Sequence, residues 1–194
     1  MKPGWTRFLA SASALWLVSL AVTTAAQDEK KKSPSATRAN ELTLAGLRPG
    51  LDSSARAKRL YKGLSSSVRE SNELSYESSC PKEKLTVELD GKHRVQTVRV
   101  GIVFWDSNCM VTNGRLRTGR GLQLTDTANR ALRLYGKPDS RSPSTKDGQQ
   151  LELLYYAFDW AGPDVPQVME VLCTVGKNGE PGRVVEITLA ASSL

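Results

Sequence analysis

Three closely spaced arginines form the segment of the sequence best suited to bind an anion. They are Arg115, Arg117 and Arg120, and glycines flank the last of them at 119 and 121. Guanidinium groups bind carboxylates through paired hydrogen bonds, and free backbone amides of a glycine turn can add to such a site. The alternative is a turn whose glycines let the chain pass close over a sheet. The sequence favours the turn, because Asp126 downstream would repel a phosphate.

Catalytic and metal chemistry has few side chains to use in this sequence. His93 is the only histidine, and it follows the turn Asp90-Gly91-Lys92, where an exposed side chain is expected. No two carboxylates stand at catalytic spacing along the chain, although folding can bring distant carboxylates together. We therefore expect no catalytic residues, no metal site and no cofactor.

The three cysteines have different expected roles. Cys80 and Cys109 lie near the same end of a predicted meander, about 10 Å apart if the sheet is flat. A disulfide needs Cα atoms within about 7 Å, so the loop 105–110 would have to fold inward to join them. We predict this disulfide as a structural link. Cys173 lies within a predicted strand and is expected to be a buried free thiol.

The first residues are typical of a secretory signal peptide. Lys2 and Arg7 precede the uncharged apolar run 9–22, and small residues stand at Thr24 and Ala26. We predict a signal peptide over 1–26, followed by a polar leader over 27–40 that is disordered. The mature protein is then periplasmic or secreted, with no transmembrane segment, and no cysteine at the predicted cleavage site for lipidation.

A formal net charge of +7 makes the chain mildly basic. Such a charge favours an anionic partner or serves solubility alone. There is no long arginine stripe interleaved with aromatic residues, so a nucleic-acid partner is not expected.

Two stretches of the sequence share the pattern of a short amphipathic helix. Residues 52–61 and 126–135 align at a constant offset, with aspartate, arginine, alanine, leucine and tyrosine at matching positions. The aspartates Asp52 and Asp126 are predicted N-caps. Ala128, Ala131, Leu132 and Tyr135 form one apolar stripe of the second helix. Gly63 and Gly136 are predicted to end the two helices.

Each predicted helix is followed by three runs typical of strands. The runs are 73–79, 84–90 and 94–104 in the first half, and 151–158, 168–175 and 183–189 in the second. The pattern predicts an α+β fold of two tandem helix-plus-three-stranded-antiparallel-meander repeats, 41–112 and 113–194. The helices are expected on one face of a shared sheet, together making one globular domain.

The turn and cap residues of this pattern resemble the BamE-like module of outer-membrane assembly lipoproteins. Two tandem copies without a lipid resemble the β-lactamase-inhibitor-protein architecture. The residues that carry the resemblance, which covers 42–190, are 46–50, 119–122, 135–138 and 182–187. Both families bind macromolecules and catalyse no reaction, so the resemblance implies a binding protein. The absent lipidation cysteine and the count of three cysteines depart from the two families.

Aromatic residues near the strand ends are the remaining binding candidates. Tyr155 and Tyr156 are adjacent, so they point to opposite faces of a strand. Trp105 and Trp160 end predicted strands at equivalent points of the two halves. Tyrosine, tryptophan and arginine are the residues that most often anchor protein interfaces. Ordinary packing at the edge of the core is the alternative for these aromatics.

The function predicted from these features is that of an exported, non-catalytic binding protein. It would recognise a protein or a cell-envelope component through an exposed sheet face and its loops. Two alternatives stay open: an envelope enzyme with a site between the repeats, and a purely structural envelope protein.

Overall fold

Eight strands form one continuous antiparallel sheet in the order β1-β2-β3-β4-β8-β7-β6-β5. The computed structural model describes residues 40–62, 65–66, 72–78, 83–103, 114–160, 166–176 and 181–191, all within the compact unit 35–194. The elements are α1 (Ser54–Leu60), β1 (Ser65–Ser66), β2 (Glu73–Glu77), β3 (Glu83–Leu89), β4 (Val95–Ile102), α2 (Ala128–Tyr135), β5 (Ser140–Lys146), β6 (Gln149–Trp160), β7 (Pro166–Thr174) and β8 (Val184–Ala191).

The prediction of two helix-plus-three-strand repeats is wrong. The strands make a single sheet, and β4 pairs with β8 at its centre, for example through Val98 opposite Leu189. Four strands, not three, follow each helix, although β1 has only two residues. The aligned leucines also differ, because Leu60 is 43% exposed whereas Leu134 packs against the core.

Strand β5 is the long strand that the sequence pattern missed. Its sequence, SRSPSTK, has no apolar alternation, because the strand lies at the sheet edge and buries none of its side chains. Pro143 is tolerated there because one side of an edge strand has no partner to donate to. Backbone pairing with β6 therefore specifies this strand. The turn Asp147-Gly148 joins the two strands with positive φ at both residues, as a tight hairpin requires.

One face of the sheet carries the hydrophobic core. Alternate residues of the central strands point to it, and the register places them opposite one another: Leu74, Tyr76, Leu85, Val87, Val98, Val100, Ile187, Leu189, Met169, Val171, Leu154 and Tyr156. Both helices cover this face. The ring of Tyr61, the residue that follows α1, lies 5.8 Å from that of Tyr76, and the Tyr135 ring of α2 lies 5.8 Å from that of Tyr156.

The apolar stripe predicted for α2 is confirmed. Ala131 and Tyr135 are buried, and Ala128 and Leu132 are partly buried against the core. The helix ends at Gly136, whose φ of 76° is one that glycine adopts without strain.

The predicted N-caps are wrong by one residue. Ser53 and Thr127 occupy the caps, and the Ser53 side chain accepts a hydrogen bond from the Arg56 amide. The aspartates just before them instead accept from amides of the preceding turn. Each aspartate also forms an ion pair with an arginine four residues later, Asp52 with Arg56 at 3.0 Å and Asp126 with Arg130 at 3.2 Å.

Several predictions fall outside the described residues. They are the signal peptide, all of the leader except Asn40, the helix end at Gly63, the disulfide between Cys80 and Cys109, and Trp105. These stay predictions.

Candidate functional site

The second face of the sheet is the candidate binding surface, and we call it the open face. Among the described residues, no helix covers it. The side chains that point to it alternate with those of the core: Ser75, Lys84, Thr86, Glu88, Thr97, Arg99, Glu186, Thr188, Glu170, Leu172, Val168, Leu153, Tyr155, Ser140 and Ser142. The surface is therefore a direct product of strand alternation around a one-sided core.

The open face has a charged half on β3, β4 and β8. The Arg99 guanidinium lies 3.6 Å from the carboxylate of Glu88 and 3.8 Å from that of Glu186. Lys146 also pairs with Glu186, whose side chain is only 14% exposed. The charges of this cluster alternate and balance, so they orient a partner rather than attract one sign of charge.

The other half, on β6 and β7, is more apolar. Leu153 pairs with Leu172, and Tyr155 pairs with Glu170 across the two strands. Leu153, Leu172 and Tyr155 are each half-buried and so expose part of their apolar surface. Tyr155 adds a hydroxyl that can hydrogen-bond, which makes it the best interface anchor of this surface.

The sheet curls toward its open face at the β5–β6 hairpin. In a flat sheet β5 would lie about 14 Å from β8, because three strand spacings separate them. The Lys146 side chain instead reaches Glu186 of β8, and Lys146 and Asp147 line one cavity with Gly101 of β4, the strand beyond β8. This small cavity of about 260 Å³ lies beneath the hairpin, with Arg99 also on its wall. The open face is therefore concave at this end.

We expect a Lys146→Ala variant to loosen this hairpin without unfolding the protein. The lysine side chain is 38% exposed, so losing the pair should cost no more than about 1 kcal/mol of unfolding free energy. Backbone amides of 145–149 should exchange faster with deuterium than in the parent protein. Arg141→Ala is the matched control, since its pair with Glu152 joins only neighbouring strands. Equal exchange in the two variants would contradict the bridging role of Lys146.

Tyr155 and Tyr156, two of the aromatic candidates, lie on opposite faces of the sheet because they are adjacent in strand β6. Tyr156 is fully buried in the core, where its ring lies 6.1 Å from that of Phe158, so it offers no binding surface. Tyr155 lies on the open face. Trp160 is the last residue of β6, and its backbone pairs with Pro166.

The three candidate arginines are exposed, and their surroundings differ. The Arg120 guanidinium lies 5.7 Å from the centre of the Tyr135 ring, a cation–π contact. Arg115 and Arg117 line a separate cleft that includes Gly46. Arg115 and Arg117 therefore share one cleft, whereas Arg120 lies outside that cleft, over the Tyr135 ring.

The glycine segment around Arg120 already holds an anion, and that anion is the protein's own Glu41. The buried Glu41 carboxylate accepts hydrogen bonds from the amides of Gly119 at 3.1 Å and Arg120 at 3.0 Å. It also accepts from the amides of Leu42 and Thr43. These amides are therefore not available to an external anion.

A directed chain of hydrogen bonds completes the Glu41 site. The Tyr135 hydroxyl donates to Glu41 at 2.7 Å, so the Thr118 hydroxyl must donate to Tyr135, also at 2.7 Å. Thr118 in turn accepts from the Leu122 amide at 3.0 Å. Burial and the nearby Glu41 charge raise the pKa of Tyr135, so the phenol keeps the proton that it donates. The network holds the N-terminal segment against the start of the second half.

Cys173 and His93 are the remaining candidates for chemistry at a titratable side chain. Cys173 is buried and free, and burial, followed by the charge of Glu152, raises its pKa to about 12. Its thiol therefore stays protonated and unreactive at neutral pH. His93 is exposed in its turn, with φ of 58°. In the described part of the chain, no three histidine, cysteine or acidic side chains cluster as a metal site would require.

None of the helices in the described residues is long and apolar enough to cross a membrane.

Sequence reasoning missed two important features, the Glu41 site and the β5–β6 hairpin. The dipeptide Asp147-Gly148 was a usable signal for the hairpin. Glu41 had no such signal, because its partners Gly119 and Arg120 lie 78 and 79 residues away.

Comparisons with models of protein families, with curated proteins and with solved structures found no match for this chain.

Proposed function

We propose that this protein is an exported, non-catalytic binding protein that holds another folded protein on its open face. The observation that carries the proposal is the one-sided sheet: both helices and the core lie on one face, and the other face presents alternating charged and apolar side chains. Export rests on the signal-peptide pattern of residues 1–26.

The size of the open face suits a protein partner. Its central strands have seven to nine residues, so they are about 25 Å long, and the sheet is about 30 Å wide. The surface is then on the order of 750 Å², close to the ~800 Å² that each partner contributes to a standard interface.

The chemistry of the open face indicates the kind of partner. Tyr155, Leu153 and Leu172 offer an apolar contact. The Arg99–Glu186 cluster lies directly beside it, because Glu186 of β8 pairs with Leu172 of β7. The matching surface is an apolar side chain flanked by charges of both signs. Such a surface on a folded protein can enter the concavity beside the β5–β6 hairpin.

The test is capture of the partner followed by measured affinity. The purified full chain is used to isolate a partner from an extract of the source cells, and binding of that partner is then quantified by calorimetry. Tyr155→Ala should weaken binding by about tenfold or more, the usual cost of removing an aromatic anchor.

Leu51→Ala is the control for Tyr155→Ala. Leu51 is 53% exposed in the turn before α1 and does not lie on the open face. It should bind the partner as the parent protein does. A partner that loses equal affinity for the two variants, or none for either, would refute binding through the open face.

A further inference from the structure

A second surface of the protein, which we call the arginine cleft, lies on three segments away from the open face. Residues 43–46, the end of α1 and residues 114–119 enclose a volume of about 580 Å³. This volume is within the range of about 300–1,000 Å³ that is typical of ligand sites.

The charged residues that the structure places around the arginine cleft are all basic. Among the described residues that line it, Arg59, Arg115 and Arg117 carry charge and none is acidic. Elsewhere in the described residues, arginines such as Arg56 and Arg130 are paired with carboxylates. In the same described ranges, no carboxylate lies within ion-pair distance of Arg59 or Arg117. Two guanidinium groups that have no ion-pair partner in that part of the chain therefore line one cavity.

Tyr61 forms part of the wall of the cleft, near Arg115. Burial raises the pKa of the Tyr61 phenol to about 12, and the charge of Arg115 opposes that rise. The Tyr61 hydroxyl itself donates to the Ala45 carbonyl at 2.9 Å. The Tyr61 hydroxyl is therefore not available to donate to a ligand, and the arginines supply the donors of the cleft.

An apolar surface lies beside the charges. Leu60 lines the cleft and is 43% exposed, so part of its apolar side chain is accessible there. Ala45 and the Tyr61 ring continue this surface. A small inorganic anion would use the arginines alone and leave Leu60 in water. A peptide with acidic and apolar side chains would use both.

We propose that the arginine cleft binds an acidic peptide segment of another protein. Carboxylates of the segment pair with Arg59 and Arg117, and an apolar side chain covers Leu60. The amides of Gly119 and Arg120 take no part, because Glu41 occupies them. This site goes beyond the open face, and its test does not depend on the partner proposed for that face.

The experiment uses the full chain and a short fluorescent peptide that alternates glutamate and leucine. A second peptide with glutamine in place of glutamate has the same length and apolar content without the charge. Fluorescence anisotropy should show binding of the glutamate peptide that weakens with added salt, and much weaker binding of the glutamine peptide.

Matched variants then locate the site. We expect the affinity for the glutamate peptide to fall by about tenfold in Arg59→Ala and in Arg117→Ala, since each substitution removes a charge-assisted contact. Leu60→Ser should weaken it as well. Arg133→Ala removes the same charge from an exposed position of α2 and should change the affinity less than about twofold.

Three outcomes would overturn the proposal. The first is no binding of the glutamate peptide, and the second is an equal loss for Arg133→Ala, which would indicate attraction by net charge alone. The third is displacement of the peptide by inorganic phosphate at similar concentration, which would assign the cleft to phosphate. Arg59, Arg117 and Leu60 are all exposed, so the variants should fold, and circular dichroism checks that they do.

Discussion

A Glu41→Ala variant should lose about 3–5 kcal/mol of unfolding free energy. The substitution removes an acceptor that serves four backbone amides and the Tyr135 hydroxyl. The Glu41 side chain is buried, so the Tyr135 hydroxyl and the amides of Leu42, Thr43 and Arg120 lose this acceptor, while the Gly119 amide keeps its bond to the Thr43 carbonyl. Unfolding in urea, followed by circular dichroism, measures the loss.

Two further variants separate the role of Glu41 from a general effect of charge. Glu77→Ala removes a carboxylate from an exposed position of β2 and should change stability by no more than about 0.5 kcal/mol. The loss of unfolding free energy for Glu41→Gln should lie between those of the two alanine variants. The glutamine amide keeps one acceptor oxygen, but its NH₂ group faces other donors. A loss below about 1 kcal/mol for Glu41→Ala would show that the network relaxes around the gap.

A Gly182→Ala variant should destabilise the protein by about 3 kcal/mol or more. A Cβ atom at this position would overlap the carbonyl oxygen of Thr174, a backbone atom that cannot move aside as a side chain can. The local backbone is also held in place, because the Ala128 amide donates to Gly182 and the Thr174 amide donates to Arg183. Relieving the overlap must break such contacts between β7, β8 and the start of α2.

Gly91→Ala is the matched control for Gly182→Ala. A Cβ atom there meets no atom within 4 Å, and Gly91 is not among the glycines with positive φ. Thermal unfolding should show a large fall in Tm for Gly182→Ala and little change for Gly91→Ala. Similar Tm values for the two variants would refute the steric role assigned to Gly182.

Local patterns predicted the elements with a buried face. Helix α2 and the strands β3, β4 and β8 have apolar residues at the helical or strand period, because the core selects one side of each element. The opposite orientation of Tyr155 and Tyr156 follows from the same period of two. Such patterns act over a few residues, so they are readable in order along the chain.

The candidate sites were only partly predictable, because sequence patterns report on residues close together in the chain and a site can combine distant ones. The sequence grouped Arg115, Arg117 and Arg120, yet Arg59, which is distant in the chain, is the residue that completes the arginine cleft. Arg120 faces the Tyr135 ring instead. Neighbours in a sequence share a site only when the backbone turns them the same way.

The amino-acid sequence by itself determined the amphipathic helix, the core strands and the tight turns, since each depends on residues close together in the chain. Tertiary structure alone decided the pairing of β4 with β8, the edge strand β5 and the capture of the glycine-segment amides by Glu41. The physical reason is that backbone hydrogen bonds and a lone carboxylate fit many partners, and only packing over long sequence distances selects one of them.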